Sequence, residues 1–265
     1  MRAAIASRWA DTWRPGALPT DQRERLLLVG LLWVYTFGGY YLLGLTGDPK
    51  AARSLHTAVD AAIPFQPWMM YFYEGVYTAL LYPLFTVRCQ RLFRRTALAY
   101  CLVTTVSLAI WIAFPVSAYS LRADTSTLDL SRFVEWGVKV NYALDPSLNC
   151  FPSLHLAITL LAALCALTAR RLWGVFGILL SLAVAYAICA VKQHFFLDGV
   201  GGALIALGAY ALIVRPYDPG ESAPEELAFT WRGPAAYLAF HLAAVLAFAI
   251  AWKLGWAPWE QVRIG

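Results

Sequence analysis

Charge is scarce in this chain. Only 14% of its 265 residues are Asp, Glu, Lys or Arg, where a soluble domain carries ~25%. That shortage excludes a disordered chain and argues against a water-soluble globule. Cysteine is also sparse, with five residues (Cys89, Cys101, Cys150, Cys165 and Cys189) and no CxxC pair. Three of them sit in apolar runs, so small apolar packers are expected rather than a zinc or disulfide framework. The basic residues give a net charge of +5 but do not gather into one patch, so nucleic acid is not an expected partner. What fills the chain instead is apolar. The hydrophobic share is 60% and the mean hydropathy +0.57. Eleven tryptophans suit the aromatic belts at the two faces of a bilayer.

A helix needs ~20 apolar residues to cross the hydrocarbon core. Seven stretches qualify: 26–46, 67–87, 96–116, 152–169, 172–191, 195–214 and 234–252. Hydrocarbon cannot satisfy open backbone groups, so each is expected to be helical. The sixth is the weakest, being Gly-rich with a charged residue near its start. Residues 1–24 are Arg-rich and polar, with Trp9 and Trp13. The run behind them is as long as a full span, so it reads as an uncleaved first helix. Lys and Arg alternate in number across the seven spans. Thirteen fall before the first span and in the loops 88–95, 170–171 and 215–233. Eight fall on the other side, over longer loops: Lys50, Arg53, Arg122, Arg132, Lys139, Lys192, Lys253 and Arg263. The positive-inside rule then predicts a cytoplasmic N-terminus, with segment 117–151 and turn 192–194 facing outward. Two outer segments, 51–63 and 128–144, have helical apolar spacing suited to lying in the interface.

Two of the four histidines sit where they would be costly without a use. One closes Asn149-Cys150-Phe151-Pro152-Ser153-Leu154-His155, at the start of the fourth span. Pro suits a first helical turn, and a helix N-terminus favours anions. Ser153 and His155 therefore stand where a phosphate is welcome. The other lies in Lys192-Gln193-His194-Phe195-Phe196-Leu197-Asp198. His194 and Asp198 are four apart and share a helix face. The carboxylate can take the proton-bearing imidazole nitrogen, leaving the other as a nucleophile. Lys192 adds positive charge beside it. By the charge count both histidines face the same side. Interfacial packing of the histidines, or a metal held by two His and one Asp, are the competing readings of these residues alone.

At these residues a resemblance arises. Phe151-Pro152-Ser153-Leu154-His155 and His194-Phe195-Phe196-Leu197-Asp198 resemble the second and third signature motifs of the type 2 phosphatidic acid phosphatase (PAP2) superfamily. They are most similar to its branch of inositol phosphorylceramide synthases, as is Asp60-Ala61-Ala62-Ile63-Pro64-Phe65 with Pro67-Trp68. The resemblance spans roughly 55–215. It implies His194 as a nucleophile forming a phosphohistidine, Asp198 as its orienter, His155 as general acid and Ser153 as a phosphate contact. It implies neither metal nor organic cofactor. Two features depart from the pattern. The third motif usually has an Arg six residues before its His, where this chain has Ile188. The first motif is not intact either. Arg122, at the outer end of the third span, becomes the candidate phosphate clamp, with Lys192 beside it and Arg132 and Lys139 in reserve.

The expected fold is an all-α integral membrane protein: a six-helix PAP2-like catalytic bundle over 26–215 plus one added C-terminal transmembrane helix. An amphipathic cytoplasmic segment, 1–25, precedes it. A polar cytoplasmic linker, 216–233, leads to the added helix and outer tail, 234–265. The expected activity is phosphoryl transfer from a lipid phosphate ester on the outer face of a bacterial inner membrane. A lipid alcohol is favoured over water as acceptor. A non-catalytic transporter or scaffold is the alternative. Within the spans, Glu74 is either functional or paired with a neighbouring helix. His241 is expected to pack between helices, and His56 to be interfacial. Gly199, Gly201 and Gly202 are expected to mark close helix packing.

Overall fold

The computed structural model describes residues 11–13, 21–218 and 231–260. Most of the predicted N-terminal segment and linker, and Arg263, lie outside the described residues. Among the described residues eleven α-helices appear in chain order: α1 Gln22–Thr46, α2 Ala58–Ala62, α3 Met70–Glu74, α4 Val76–Ala79, α5 Tyr82–Thr86 and α6 Gln90–Ala113. They continue with α7 Phe133–Leu144, α8 Leu154–Ala169, α9 Arg171–Ala190, α10 Phe196–Ala209 and α11 Arg232–Lys253. A π-helical turn, Tyr210–Val214, extends α10. No strand occurs among the described residues, only isolated bridges that join Val116 to Arg53 and to Asn149.

Among the described residues, five helices are long and apolar enough to cross a bilayer: α1, α6, α9, α10 with its π turn, and α11. The chain is a membrane protein of the all-α class. The expected count of six plus one is not reproduced by length. Helix α8 has 16 residues, or about 24 Å at 1.5 Å per residue, against a ~30 Å hydrocarbon core. The stretch 67–87 is helical only in pieces, α3, α4 and α5. Pro83 supplies the chemical reason for one break, since it has no N–H to give the carbonyl four residues back.

Helix α1 starts where the Asp21 side chain accepts the Arg23 and Glu24 N–H groups. It docks along α6 through polar contacts that hydrocarbon would otherwise leave unmet. The Arg94 guanidinium grips Glu24 in two bonds of 2.6 and 2.8 Å, a fork geometry available to Arg and not to Lys. Thr36 and Thr104 share a hydrogen bond of 3.0 Å. Helices α8 and α9 form a hairpin that closes on Gly174, where a Cβ would lie 2.1 Å from the Leu167 Cα. The buried core that α6 and α8 share with α10 includes Leu92, Val103, Leu161 and Ala206. A second cluster, with Tyr73, Val138, Val184 and Ile188, joins α3, α7 and α9.

Of the predicted amphipathic segment 128–144, Phe133–Leu144 forms α7 and the first five residues stay outside it. Its inner face buries Trp136, Val140 and Asn141 against the protein. Segment 51–63 follows a 3-10 turn at Pro49–Ala51 and its own helix is only the short α2. Helix α11 packs on α5 and α7: Gly233 lies so close to Phe85 that a Cβ would sit 2.0 Å from its carbonyl oxygen.

Candidate active site

Three segments converge at one end of α8 and α10. Ser153 caps α8, its Oγ accepting the Leu156 N–H at 3.4 Å. The Ser153 N–H donates to the Asp198 carbonyl at 2.9 Å, which stitches the two motif segments together. Gly202 permits that approach, because a Cβ there would lie 2.3 Å from the Ser153 carbonyl oxygen. The turn before α10 pivots on Lys192, whose φ of 61° is left-handed, a conformation uncommon for a residue with a Cβ. It is anchored by Lys192 Nζ donating to the carbonyls of Asp60 at 3.0 Å and Ile63 at 2.5 Å. The Asp60 carboxylate in turn accepts the Phe196 N–H at 2.7 Å and the Thr57 N–H at 2.7 Å.

These anchors bring the two distant histidines together. His194 Nε2 lies 3.2 Å from His155 Nδ1. On the far side of the His194 ring, Nδ1 faces Asp198 Oδ2 at 3.3 Å and the Cys150 carbonyl at 3.2 Å. Two acceptors on Nδ1 hold its proton there, so Nε2 keeps the lone pair. The same Asp198 oxygen accepts the Phe195 N–H at 2.8 Å. The other, Oδ1, is buried without a hydrogen-bond partner. His155 continues the line, its Nε2 lying 3.8 Å from Asp145 Oδ2. The Asp145 carboxylate also accepts the Tyr40 hydroxyl, the Tyr73 hydroxyl at 2.6 Å and Gln193 Nε2 at 3.3 Å. The Tyr73 ring lies tilted against His155 at 4.7 Å between centroids. His155, His194, Asp145 and Asp198 are all buried.

A family model described as the PAP2 superfamily matches residues 48–212. The chain belongs to the PAP2 superfamily. Searches of curated proteins and of solved structures give no match. The PAP2 match covers both motif histidines and the line of acids behind them, and it ends before α11 begins.

The candidate phosphate-binding residues of this PAP2 chain divide. Ser153 lies at the site, fully buried, with its hydroxyl on the α8 cap. Arg122 is one residue removed from the histidines. Its three nitrogens donate to Gln193 Oε1 at 2.8 Å, the Tyr142 carbonyl at 2.8 Å and the Asp145 carbonyl at 2.7 Å. It thus braces the Asp145 loop and Gln193. Lys192 Nζ points to Asp60 and Ile63, as described. Among the reserves, Arg132 pairs with Glu135 and Lys139 lies over the Trp259 ring. Ile188 sits at zero exposure, and its carbonyl receives the Gln193 and His194 N–H groups.

Sequence reasoning missed Asp145, Tyr40, Tyr73 and the role of Asp60. None stands in a short motif with a histidine. Only Asp60 left a trace, within the stretch 60–65 singled out for its resemblance. Cys150, His194 and Asp198 also place one ligand atom each within 4.8 Å of one another. The Cys150 Sγ donates to the Ser147 carbonyl at 2.9 Å. Burial, and then the Asp198 charge, push the Cys150 thiol well above its ordinary range, which keeps it protonated and unreactive.

Proposed function

We propose that this chain transfers the phosphoryl group of a lipid phosphate ester through a phosphohistidine on His194. The observation that carries this reading is the line Asp198–His194–His155, hydrogen-bonded throughout, with Asp145 at 3.8 Å beyond it. In the first step His194 Nε2 attacks phosphorus and the bond from phosphorus to the leaving alkoxide oxygen breaks. His155 gives that oxygen a proton. In the second step His155 takes a proton from an incoming hydroxyl, whose oxygen displaces His194 from phosphorus. Asp198 holds the proton on His194 Nδ1 throughout, and Asp145 offsets the positive charge that His155 carries as an acid. Phosphoryl transfer rests on positioning and on neutralising charge at the equatorial oxygens. Arg122, bound to Gln193 beside His194, is the candidate for that task, and it would exchange one of its carbonyl bonds for a phosphate oxygen. A lipid alcohol is the favoured acceptor, in line with the synthase-like form of both motifs.

The resting geometry is closed. Attack needs phosphorus ~3 Å from Nε2, and the acid needs ~3 Å more to the leaving oxygen. Both cannot fit within the 3.2 Å between the two rings. Substrate must therefore part them. The site lies on the non-cytoplasmic face of a cell membrane in this reading, as the basic loops direct.

One observation favours the transporter or scaffold reading: Arg122 and Lys192 both spend their donors on protein carbonyls and Gln193. Assays of wild type and His194→Ala on phosphatidic acid and isoprenyl diphosphates separate the two. Equal activity in every assay sinks the enzyme reading. Trapping a labelled phosphoprotein, then chasing it with water or lipid alcohols, identifies the acceptor. Activity that persists with chelators sets aside a metal on Cys150, His194 and Asp198.

A further inference from the structure

A cavity of about 340 Å³ opens between α3–α4, α7 and α11, within the ~300–1,000 Å³ of small-molecule sites. Its walls are apolar, including Trp136, Val245 and Phe248. Two of the three walls come from the broken span and from α11, so the cavity lies at membrane depth, where hydrocarbon is the available occupant. Its polar side carries Glu74, Asn141, Thr78 and His241. Asn141 Nδ2 reaches Glu74 Oε1 at 3.4 Å, a long bond, while Asn141 Oδ1 accepts Gln193 Nε2 at 2.5 Å. Gln193 adjoins His194 in the chain. Tyr77 also lines the cavity, and its ring meets that of His155 edge-on at 6.0 Å. The polar side of the cavity therefore abuts the histidines.

The charge of the lining decides what fits. Among the described lining residues only Glu74 and His241 carry or can take charge near neutral pH, and no Lys or Arg is present. With no cation in the lining, nothing there neutralises the charge of a phosphate ester, whereas the Glu74 carboxyl and the Asn141 amide can both bond a hydroxyl. We infer that this cavity holds the lipid alcohol acceptor. Its chain lies along α11, and its hydroxyl is held by Glu74 and Asn141 next to His155. The added helix α11, beyond the matched PAP2 segment, is thereby a wall of the substrate site. This inference rests on the proposed phosphotransfer for its meaning, but binding is measurable without it.

The test uses the full chain in phosphatidylcholine nanodiscs and a diazirine-bearing hexadecanol. After irradiation, mass spectrometry is expected to find the label on peptides from Phe133–Leu144 and Arg232–Lys253. Unlabelled hexadecanol should remove it and phosphatidic acid should not. Ala244→Trp and Val245→Phe, both filling the cavity from α11, should each lower labelling at least fivefold with the melting temperature held. His194→Ala should label as wild type does. Label spread equally over the lipid-facing side of α9 overturns the inference. So does equal competition by phosphatidic acid, or labelling that both cavity-filling variants leave unchanged. If labelling is as expected and no phosphoprotein can be trapped, the phosphotransfer reading fails and the alcohol site stands. If a phosphoprotein forms and the cavity does not label, the acceptor site alone falls.

Discussion

One oxygen of Asp198 serves two partners, the His194 imidazole and the Phe195 N–H. The same carboxylate thus fixes both the ring and the first turn of α10. Asp198→Asn is expected to weaken the fixed tautomer, because an amide can present its N–H to Nδ1 instead of accepting from it. Phosphoprotein formation should fall on the order of 10²–10⁴-fold, the usual worth of a positioned acid–base group; a rapid-quench assay measures it. Asp145→Asn should slow the acid step while leaving the phosphoprotein trappable from substrates with a good leaving group. A loss that is equal for good and poor leaving groups would remove Asp145 from that role. Tyr142 behaves differently. Burial pushes its hydroxyl up to about 12, against the pull of the Ala123 N–H and Arg122. It stays a neutral donor to the Val191 carbonyl. Activity measured up to pH 10 should carry no Tyr142 ionisation, and Tyr142→Phe should leave the shape of the pH profile intact.

At the scale of elements, the site depends on how closely α10 approaches the start of α8. Gly202→Val should force the two apart, since a Cβ already meets the Ser153 carbonyl. Such overpacking costs ~1–3 kcal/mol. A lower melting temperature together with lost phosphoprotein formation is the expected result, whereas Gly30→Ala, with nothing near its Cβ, should change neither. The elements also show what was legible. Long uniform apolar runs gave α1, α9 and α11 nearly to their ends, whereas α6 starts six residues before its predicted span, through the Arg-rich turn at Arg91, Arg94 and Arg95. The histidines were legible because each shares a short motif with its helix terminus. Asp145 was not, because the residues it serves, Tyr40, Tyr73 and His155, come from three other segments. Their meeting is a product of packing, not of local pattern. The span 67–87 misled for a similar reason: its hydropathy is continuous while its backbone is interrupted.

Over the whole molecule, polarity is divided between two ends. One holds Arg25, Arg91, Arg94 and Arg95, all buried; the other holds the histidines. Single cysteines introduced at exposed Tyr119 and Ser131, on a background with native Cys101 removed, should react with an impermeant maleimide from outside intact cells. Protection at both positions would reverse the orientation. Arg122 joins the loop after α6 to this end. Arg122→Lys keeps the charge but loses the fork over Gln193, Tyr142 and Asp145. Thermal stability should drop, by ~1–3 kcal/mol for an unmade buried bond, before any loss in substrate binding is measured.

The contact between the two histidines has one more consequence. In the proposed reaction, the nitrogen that attacks is quenched at rest by its contact with His155, the group that later protonates the leaving oxygen. The molecule is thus safe by default, like a switch held shut by its own spring. A small bystander such as free phosphate has no hydrocarbon anchor with which to wedge the rings apart. On this reading selectivity is exercised before any bond is broken. It lies in the work of separating His155 from His194, which a lipid held along its length can perform and a solitary anion cannot.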